Sequence, residues 1–402
     1  MTSDFIKYSI ALFLCVLFSY ISKGCYGLSA IQGDIADSNA FADSPYKWIE
    51  QGKMRAGYLY FNDPVSKIKL VKELGLNTVI VKCWRFNNTK NKLETVSSIR
   101  KWAKAAKDNN LHLFVAINWQ PYPRTHGIGH KRVVYDDGTE GIAVCPLDKG
   151  FWKKRIQDIF SLIADLSIQP DIQIDGIFLD MEIYGSEKES HIKKNYYEKK
   201  CGFSDTCFSQ YLIHKGYKLS QFSLVGRKDR KGWLENKKLL DEYFVFLRNQ
   251  IQKTAEDLKN TIQKVSPDFL IGMYPHPAKN NWVQYPLAKG FSSEKLPLIV
   301  FGIHSYGYRK DKNGDGYTFI PKDIKRQYKK DGINSLYSAG YLFRKYDGKT
   351  LERNLKQSVE NWDGYWLFSL PQLWEWKSNP DKLMDLAKNL KKAITLVNVK
   401  RN

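Results

Sequence analysis

Eight short apolar runs recur along the chain, and each is followed by a stretch with helical or polar loop character. The runs are RAGYLYF (55–61), TVIVKCW (78–84), LHLFVAINW (111–119), DGIFLDMEIY (175–184), DFLIGMYP (268–275), LIVFGIHSY (298–306), SLYSAGYLF (335–343) and GYWLFSL (364–370). Strands that alternate with helices form parallel sheets, because each helix returns the chain to the edge where the next strand starts. Eight such units within residues 51–395 predict an α/β fold, a single-domain (β/α)8 TIM barrel with an extended loop after the fourth strand.

A doubly wound open sheet is the alternative fold for such an alternation. That fold often places a glycine-rich phosphate-binding turn after its first strand. The first run here continues instead into FNDP, so we favour the closed barrel. The longest insertion follows the fourth run at about residues 185–235, and no linker or change of composition marks a second domain.

The N-terminal segment has the features of a secretory signal peptide. Lys7 precedes an apolar run at 8–21, which small and polar residues follow. The run is too short for a membrane span, which needs about 20 residues. The sequence therefore predicts a signal peptide at 1–27, a polar leader at 28–50, and a protein that is secreted or held at the cell surface or in the periplasm. An uncleaved anchor is the alternative, and no other stable membrane partner is expected.

The net charge of +21 comes from lysine and arginine residues that are spread along the whole chain. A secreted chain with dispersed basic residues is expected to have a solvated lysine-rich surface, and no nucleic-acid partner is predicted. Attraction to anionic glycans or cell-wall polymers is the alternative, and salt would weaken it.

The cysteine pattern favours a disulfide over a metal site. Cys201 and Cys207 flank a short loop that a disulfide would close in an oxidising compartment. Cys83 and Cys145 are candidates for a second pair. No CxxC motif or histidine cluster completes a set of four zinc ligands, so no cofactor is predicted.

The fourth run carries two acids inside an apolar strand. Side chains two residues apart on a strand point to the same face, about 6.6 Å apart, so Asp180 and Glu182 project together with Phe178 and Tyr184. Ionised carboxylates in an apolar interior are costly unless they are paired or hydrogen-bonded, so two together at a strand end suggest that the strand opens into a cavity. Chemistry in a TIM barrel takes place at the carboxyl ends of the strands. We therefore predict an active site at this strand end.

Aromatic and histidine side chains cluster at the predicted strand ends. Aromatic rings pack well against the C–H faces of sugar rings, which predicts a carbohydrate substrate. The candidate substrate-binding residues are Tyr60, Trp84, Trp119, Tyr184, Tyr274, His276, His304, Tyr306, Tyr341 and Trp366.

The fourth run also resembles the signature of a known protein family. DGIFLDMEIY resembles the strand-four signature DGxDxDxE of chitinase-like glycoside hydrolases (family 18 and its clan), with Asp175, Gly176, Asp180 and Glu182 at matching positions. The preceding CPLDKGFWKKRIQDIFSLIADL is similar to a wider group of TIM-barrel glycosidases in which a helix that begins with CP precedes DGIxLD. The motif-level likeness covers about residues 145–210.

The resemblance implies a glycoside hydrolase in which Glu182 is the general acid/base and Asp180 orients the substrate or stabilises charge. Tyr306 and Trp366 lie where that clan places a tyrosine partner and a floor tryptophan. Phe178 departs from the pattern, because it stands at the position of an aspartate that shares a proton with the next one. A non-catalytic carbohydrate-binding barrel is therefore the alternative prediction.

Ordinary glycosidases use a second carboxylate at a defined distance from the first. The other predicted strand ends offer Asp63, Asp311, Asp347 and Glu375. None matches the expected pattern on strand seven, which favours Asp180 and Glu182 as a pair that works alone.

DKNGDGY resembles the start of a calcium-binding loop. Asp311, Asn313 and Asp315 match positions 1, 3 and 5 of such a loop, but Lys322 occupies position 12, where a glutamate belongs. The sequence favours a polar turn here, with structural calcium as the alternative.

Overall fold

A computed structural model describes most of the chain that follows the predicted leader. The described residues are 45–83, 89–119, 130–182, 197, 201–218, 220, 224–303, 309–310, 316–317, 323–342, 346, 348–373, 387–388, 390–392 and 394–395. The predicted signal peptide and most of the polar leader lie outside these ranges. Among the helices within them, none combines the length and apolar character needed to cross a membrane.

Eight parallel strands close into a barrel, which confirms the predicted fold. The strands are β1 (Met54–Tyr60), β2 (Thr78–Lys82), β3 (His112–Asn118), β4 (Gly176–Asp180), β5 (Leu270–Tyr274), β6 (Leu298–Gly302), β7 (Ser335–Tyr341) and β8 (Gly364–Leu367). Their order around the barrel follows the sequence, and β8 pairs with β1 to close the ring. Seven of the strands fall within one of the apolar runs each, and β1 begins one residue before its run.

Helices surround the strands, and two small hairpins extend the connections. The α-helices within the described ranges are Lys47–Gly52, Ile68–Glu73, Thr89–Asp108, Lys149–Phe151, Asp158–Ser167, Asp205–His214, Arg230–Asn236, Leu240–Val265, Gln284–Phe291, Ile324–Lys330 and Gly348–Asn361. A π-helical stretch, Trp152–Gln157, joins two of them, and 3-10 turns lie at Val65–Lys67, Arg227–Asp229 and Leu370–Leu373. The hairpins pair Arg132–Val134 with Glu140–Val144, and Arg309–Lys310 with Gly316–Tyr317.

Side chains on alternate faces of each strand belong to two separate hydrophobic cores, one between strands and helices and one inside the barrel. On β4, Ile177 and Leu179 pack outwards into the layer between the strands and the helices. Phe178 points inwards and joins the core that fills the barrel. This period of two is the pattern that the apolar runs predict.

The first two residues of the β4 motif hold the amino-terminal end of the barrel together. Asp175 accepts hydrogen bonds from the Leu113 backbone N–H at 2.8 Å and contacts His112 Nδ1 at 2.8 Å, and the Trp48 ring stacks on His112. Gly176 follows where β4 lies against β5, and a Cβ at this position would collide with the Leu270 carbonyl oxygen. Asp175 and Gly176 therefore serve the fold, at the end of the strand opposite to Asp180.

The cysteines are arranged differently from the prediction. Cys83, Cys145, Cys201 and Cys207 are buried thiols with no disulfide among them. The Ser204 side chain caps the helix Asp205–His214, so Cys207 lies in the first helical turn. There its Sγ atom lies 3.5 Å from Sγ of Cys145. The structure thus contains neither the Cys201–Cys207 disulfide nor the Cys83–Cys145 pair, because the helix start directs Cys207 towards Cys145.

Candidate functional site

Polar side chains end the inward-facing rows of neighbouring strands at the carboxyl mouth of the barrel. Tyr60, Lys82, Asn118, Asp180 and Tyr274 are the last strand residues on the faces that line the interior of β1 to β5. Asn118 and Asp180 are directly paired across β3 and β4, and Asp180 is paired with Tyr274 across β4 and β5. The residues of this mouth therefore come from consecutive strands and lie side by side.

Asp180 is buried and bound on both oxygens. Its Oδ2 atom forms an ion pair with Lys82 Nζ, and the two side chains are 3% and 4% exposed respectively. Its Oδ1 atom accepts a hydrogen bond from the Glu182 backbone N–H at 3.0 Å. The lysine compensates a charge that would otherwise be costly in this interior, and the second bond fixes the chain as it leaves β4.

Glu182 occupies a different environment. It follows the end of β4 by two residues and is partly exposed. Its Oε1 atom accepts a hydrogen bond from the Tyr274 hydroxyl at 2.9 Å. The Met181 N–H donates to the Tyr274 carbonyl oxygen at 2.6 Å, which ties the end of β4 to β5 just before Glu182. The carboxyl group is thus oriented by a neighbouring strand in a residue that is only partly buried.

The two carboxyl groups therefore differ in burial and in their bonding partners. A pair of carboxyl groups can divide roles when one is held as a charge and the other can reach a ligand. Asp180 is buried against Lys82, whereas Glu182 is partly exposed and accepts a hydrogen bond from a hydroxyl group.

Asn118 adds an acceptor beside this pair. Its side chain is 5% exposed, and its Oδ1 atom has no hydrogen-bond donor among the described residues. A buried acceptor without a donor costs about 1–3 kcal/mol. A water molecule or a ligand hydroxyl group that reaches this atom would supply the donor.

An aromatic cluster forms the floor beneath the polar mouth. The Phe178 ring lies 5.5 Å from the rings of both Tyr274 and Trp366, and these two lie 5.2 Å from each other. Tyr58 contacts this cluster from β1, and Tyr60 packs edge-on against Tyr58 at 5.7 Å. The predicted binding residues Tyr60, Tyr274 and Trp366 therefore all face the interior, with Trp366 fully buried.

Trp119 and Tyr341 are not at the mouth, which corrects their predicted placement. Trp119 points away from the interior, packs against the Phe151 ring at 4.9 Å, and donates its indole N–H to Tyr197. The Tyr341 hydroxyl lies 2.6 Å from Ser358 Oγ on a surrounding helix. Both are completely buried in the layer between strands and helices, because each occupies the outward position of its strand.

The remaining predicted site residues divide between the described ranges and the rest of the chain. His276 follows Tyr274 by two residues and is partly exposed. Asp63 accepts the Tyr60 backbone N–H at 2.7 Å, which gives it a role in the turn after β1. Outside the described residues lie Trp84, Tyr184, His304, Tyr306, Asp311, Asn313, Asp315, Asp347 and Glu375. Within the described ranges, no group of three or more histidine, cysteine, aspartate or glutamate residues is arranged to hold a metal ion.

Lys82 and Asn118 are the site residues that the sequence reasoning missed. Both carry a recognisable signal, since each is a polar residue that ends an apolar strand at an inward position, in VIVK and VAIN. Asp180 has the same signal in IFLD. A search for polar residues in phase with the inward row of each predicted strand would have found all three.

Comparison with known proteins gives distant structural likenesses. The chain matches no protein-family model and no curated protein. A broad-specificity GH5-4 endoglucanase from Clostridum cellulovorans is 10% identical, with 87% of this chain and 96% of that chain covered and a TM-score of 0.46. An exo-beta-agarase is 11% identical, with 85% and 48% covered and a TM-score of 0.48. The chitinase ICChI from Ipomoea carnea is 10% identical, with 84% and 99% covered and a TM-score of 0.37. Likenesses at TM-scores below 0.5 carry no information about the reaction.

Proposed function

We propose that the protein is a glycoside hydrolase that cleaves the glycosidic bonds of a polysaccharide or glycan at the carboxyl mouth of the barrel. Glu182 is the general acid/base, and Asp180 is the orienting or stabilising carboxylate. The observation that carries this proposal is the partly exposed Glu182 carboxyl, oriented by the Tyr274 hydroxyl beside the buried ion pair of Lys82 and Asp180.

Cleavage of a glycosidic bond needs a proton on the departing oxygen as the C–O bond breaks. Glu182 is placed to supply it, because the residue is partly exposed and its carboxyl group contacts Tyr274, the last residue of β5 on the inward row. The Tyr274 hydroxyl donates to Oε1, which fixes the rotation of the carboxyl group. In the reverse proton transfer, the resulting carboxylate takes a proton from the attacking water.

Asp180 acts through charge and position. The transition state of glycoside hydrolysis has positive charge on the sugar ring, which a nearby carboxylate stabilises. Asp180 Oδ1 also holds the Glu182 backbone, so the same carboxylate sets where the acid stands. The unpartnered Asn118 acceptor beside Asp180 suits a sugar hydroxyl.

A non-catalytic carbohydrate-binding barrel is the second candidate, and Phe178 is the observation that favours it. Phe178 is 1% exposed and packs among the rings of Tyr58, Tyr274, Phe301 and Trp366. The inner position next to Asp180 is therefore apolar, and Asp180 has no carboxyl partner on that side. The mouth would then keep its hydroxyl-binding groups without efficient proton transfer.

We further propose that the protein is secreted or held at the cell surface or in the periplasm and that a carbohydrate is its partner. The apolar segment at 8–21 supports export. The dispersed positive charge suits an extracellular polymer with negative groups better than a nucleic acid.

A screen of the purified protein tests the activity. Chitin, peptidoglycan, and α- and β-linked plant and microbial glycans are incubated with the wild type, and released fragments are identified by mass spectrometry. Glu182→Gln removes the acid, and Glu73→Gln on an exposed helix position is the matched control. Release by the wild type and Glu73→Gln, but not by Glu182→Gln, supports the enzyme. Binding of a glycan without release by any variant supports the second candidate, and neither binding nor release rejects both.

A further inference from the structure

Two buried thiols from separate segments meet beside the helix that follows the β4 insertion. Cys145 directly follows the hairpin strand Glu140–Val144, and Cys207 lies in the first turn of the helix Asp205–His214. Their Sγ atoms are 3.5 Å apart, and the two residues are 0% and 1% exposed. These thiols have no place in the proposed reaction at the barrel mouth.

The Ser204 side chain fixes both thiols. Its Oγ atom lies 3.1 Å from Cys145 Sγ and accepts the Cys207 backbone N–H at 3.2 Å. Because one hydroxyl contacts both partners, the contact between the two sulfur atoms is part of how the helix begins.

The backbone around the pair is anchored as well. The N–H groups of Gly202 and Phe203 both donate to the Val134 carbonyl oxygen at 3.0 Å. The buried Arg230 guanidinium donates to the Phe203 carbonyl oxygen at 2.6 Å and pairs with Asp205 at 2.7 Å. The hairpin and the helix start are thus held together independently of the cysteines, which keeps the thiols in contact.

We propose that Cys145 and Cys207 form a disulfide when the protein meets a small-molecule disulfide such as oxidised glutathione. This inference does not depend on the proposed glycosidase activity. It also differs from the pairing that the sequence predicts, because Cys201 lies on the bridge to Tyr135 rather than in the helical turn.

The exchange is balanced with glutathione disulfide as the oxidant. Both thiols are buried, so glutathione disulfide reacts when the helix start opens locally from the hairpin. In that opened state the Cys145 thiolate attacks one glutathione sulfur, the glutathione S–S bond breaks, and the departing thiolate takes up the proton that Cys145 released. Cys207 then loses its proton, attacks Sγ of Cys145 in the mixed disulfide, and expels the second glutathione thiolate, which takes that proton. The two cysteines are oxidised, and one glutathione disulfide is reduced to two thiols.

The surroundings favour Cys145 as the first nucleophile. A hydrogen bond from the Cys207 thiol lowers the pKa of Cys145, and Ser204 contributes in the same direction. Burial raises the pKa of Cys207 well above its usual value, so it retains its proton until Cys145 has reacted.

The disulfide would close a long loop that contains β4 and Glu182. Such a crosslink restricts the unfolded chain, and its effect grows with the length of the loop. For a loop of this length in a barrel of this size, we expect oxidation to raise the melting temperature by about 3–8 °C.

Peptide mapping identifies the pairing directly. The full chain is incubated in a mixture of oxidised and reduced glutathione, quenched with acid, and treated with N-ethylmaleimide in denaturant. Trypsin leaves Cys145 in the peptide 133–149 and both Cys201 and Cys207 in the peptide 201–215, and further cleavage before Asp205 separates the latter two. Cleavage before aspartate also trims 133–149 to 137–147, so the expected product joins 137–147 to the fragment that begins at Asp205.

Variants supply the matched controls. Cys145→Ser and Cys207→Ser should lose the crosslink and the melting temperature difference between oxidised and reduced samples. Cys201→Ser, at another buried cysteine, should keep both. If a serine variant does not fold, the peptide map of the wild type still shows whether Cys145 and Cys207 are joined. Complete alkylation of Cys145 and Cys207 in the glutathione mixture, or a crosslink from Cys201 to Cys207, overturns the proposal.

Discussion

At the scale of single residues, Asp180 and Glu182 show how two acids on one strand face acquire different properties. The strand ends between them, so Asp180 remains within the barrel against Lys82 while Glu182 emerges into the mouth. The sequence places both on one face, and the structure adds the cation that makes the buried carboxylate tolerable. Roles at this site therefore depend on depth as well as on residue type.

The proposed acid role of Glu182 predicts a loss of turnover when the side chain can no longer donate a proton. Glu182→Gln keeps the shape and the contact with Tyr274 but cannot donate the proton, so turnover should fall by about 100- to 10,000-fold while glycan binding persists. A substrate with an activated leaving group needs little protonation and should recover part of the activity. Steady-state kinetics on natural and activated substrates measure both, and equal losses on the two would remove the acid role.

The buried ion pair of Lys82 and Asp180 predicts that removal of the lysine alone destabilises the fold. Lys82→Met leaves the Asp180 charge buried without its partner, which should lower the free energy of unfolding by about 3–5 kcal/mol. The double variant Lys82→Met, Asp180→Leu removes both charges and should recover much of that loss. Lys153→Met, at an exposed helix position, is the control. Denaturant unfolding is measured for the wild type, Lys82→Met, Asp180→Leu, the double variant and the control, and additive losses in the double variant would contradict a coupled pair.

At the scale of elements, the strand positions could be predicted because a period of two survives in the apolar runs, and each run contains a barrel strand. The faces of the last residues were harder to predict. Trp119 ends its run and Tyr341 ends β7, yet both aromatic residues lie on the outward rows and pack in the layer between strands and helices. The Cys201–Cys207 pairing failed for a similar reason, because the Ser204 cap begins a helix and turns Cys207 towards a distant hairpin. Contacts between segments far apart in sequence leave no periodic signal in either one.

The glycine that opens β4 provides a matched test at this scale. Gly176→Ala places a Cβ against the Leu270 carbonyl oxygen of β5, so the strands must shift and the free energy of unfolding should fall by about 1–3 kcal/mol or more. Gly232→Ala lies in the helix Arg230–Asn236 with open space around its Cβ and should stabilise the chain by about 0.4–1 kcal/mol. Thermal and denaturant unfolding compare the two, and equal effects would rule out the close approach of β4 and β5.

At the scale of the whole molecule, the barrel joins an apolar interior to a polar mouth. The interior core contains aromatic residues from several strands, including Tyr58, Phe114, Phe178, Phe301 and Trp366. The polar residues Lys82, Asn118 and Asp180 lie directly above, at the ends of the same inward rows. Because the strands close into a ring, a change in this interior affects the packing of opposite strands at once.

Substitutions of Phe178 test how strongly the barrel depends on the packing of its interior. An aspartate at this position would restore the acid pattern of the family that the β4 motif resembles. Phe178→Leu should lose about 1 kcal/mol of stability, and Phe178→Ala about 3–5 kcal/mol, because the cavity lies among four aromatic rings. Phe178→Asp should be at least as damaging as Phe178→Ala at neutral pH, since it buries a carboxylate in that cavity.

The loss in Phe178→Asp should also depend on pH. Burial favours the protonated acid in the folded chain, so the pKa of the new carboxyl should be higher in the folded state than the unfolded value of about 3.9. The unfolded state then binds fewer protons above that value, and stability falls as pH rises until the folded pKa is passed. Unfolding followed by circular dichroism from pH 4 to pH 8 should show the difference between Phe178→Asp and Phe178→Leu growing with pH. A constant difference, or a Phe178→Asp variant as stable as Phe178→Leu at neutral pH, would mean that the barrel interior admits water and can hold the second acid.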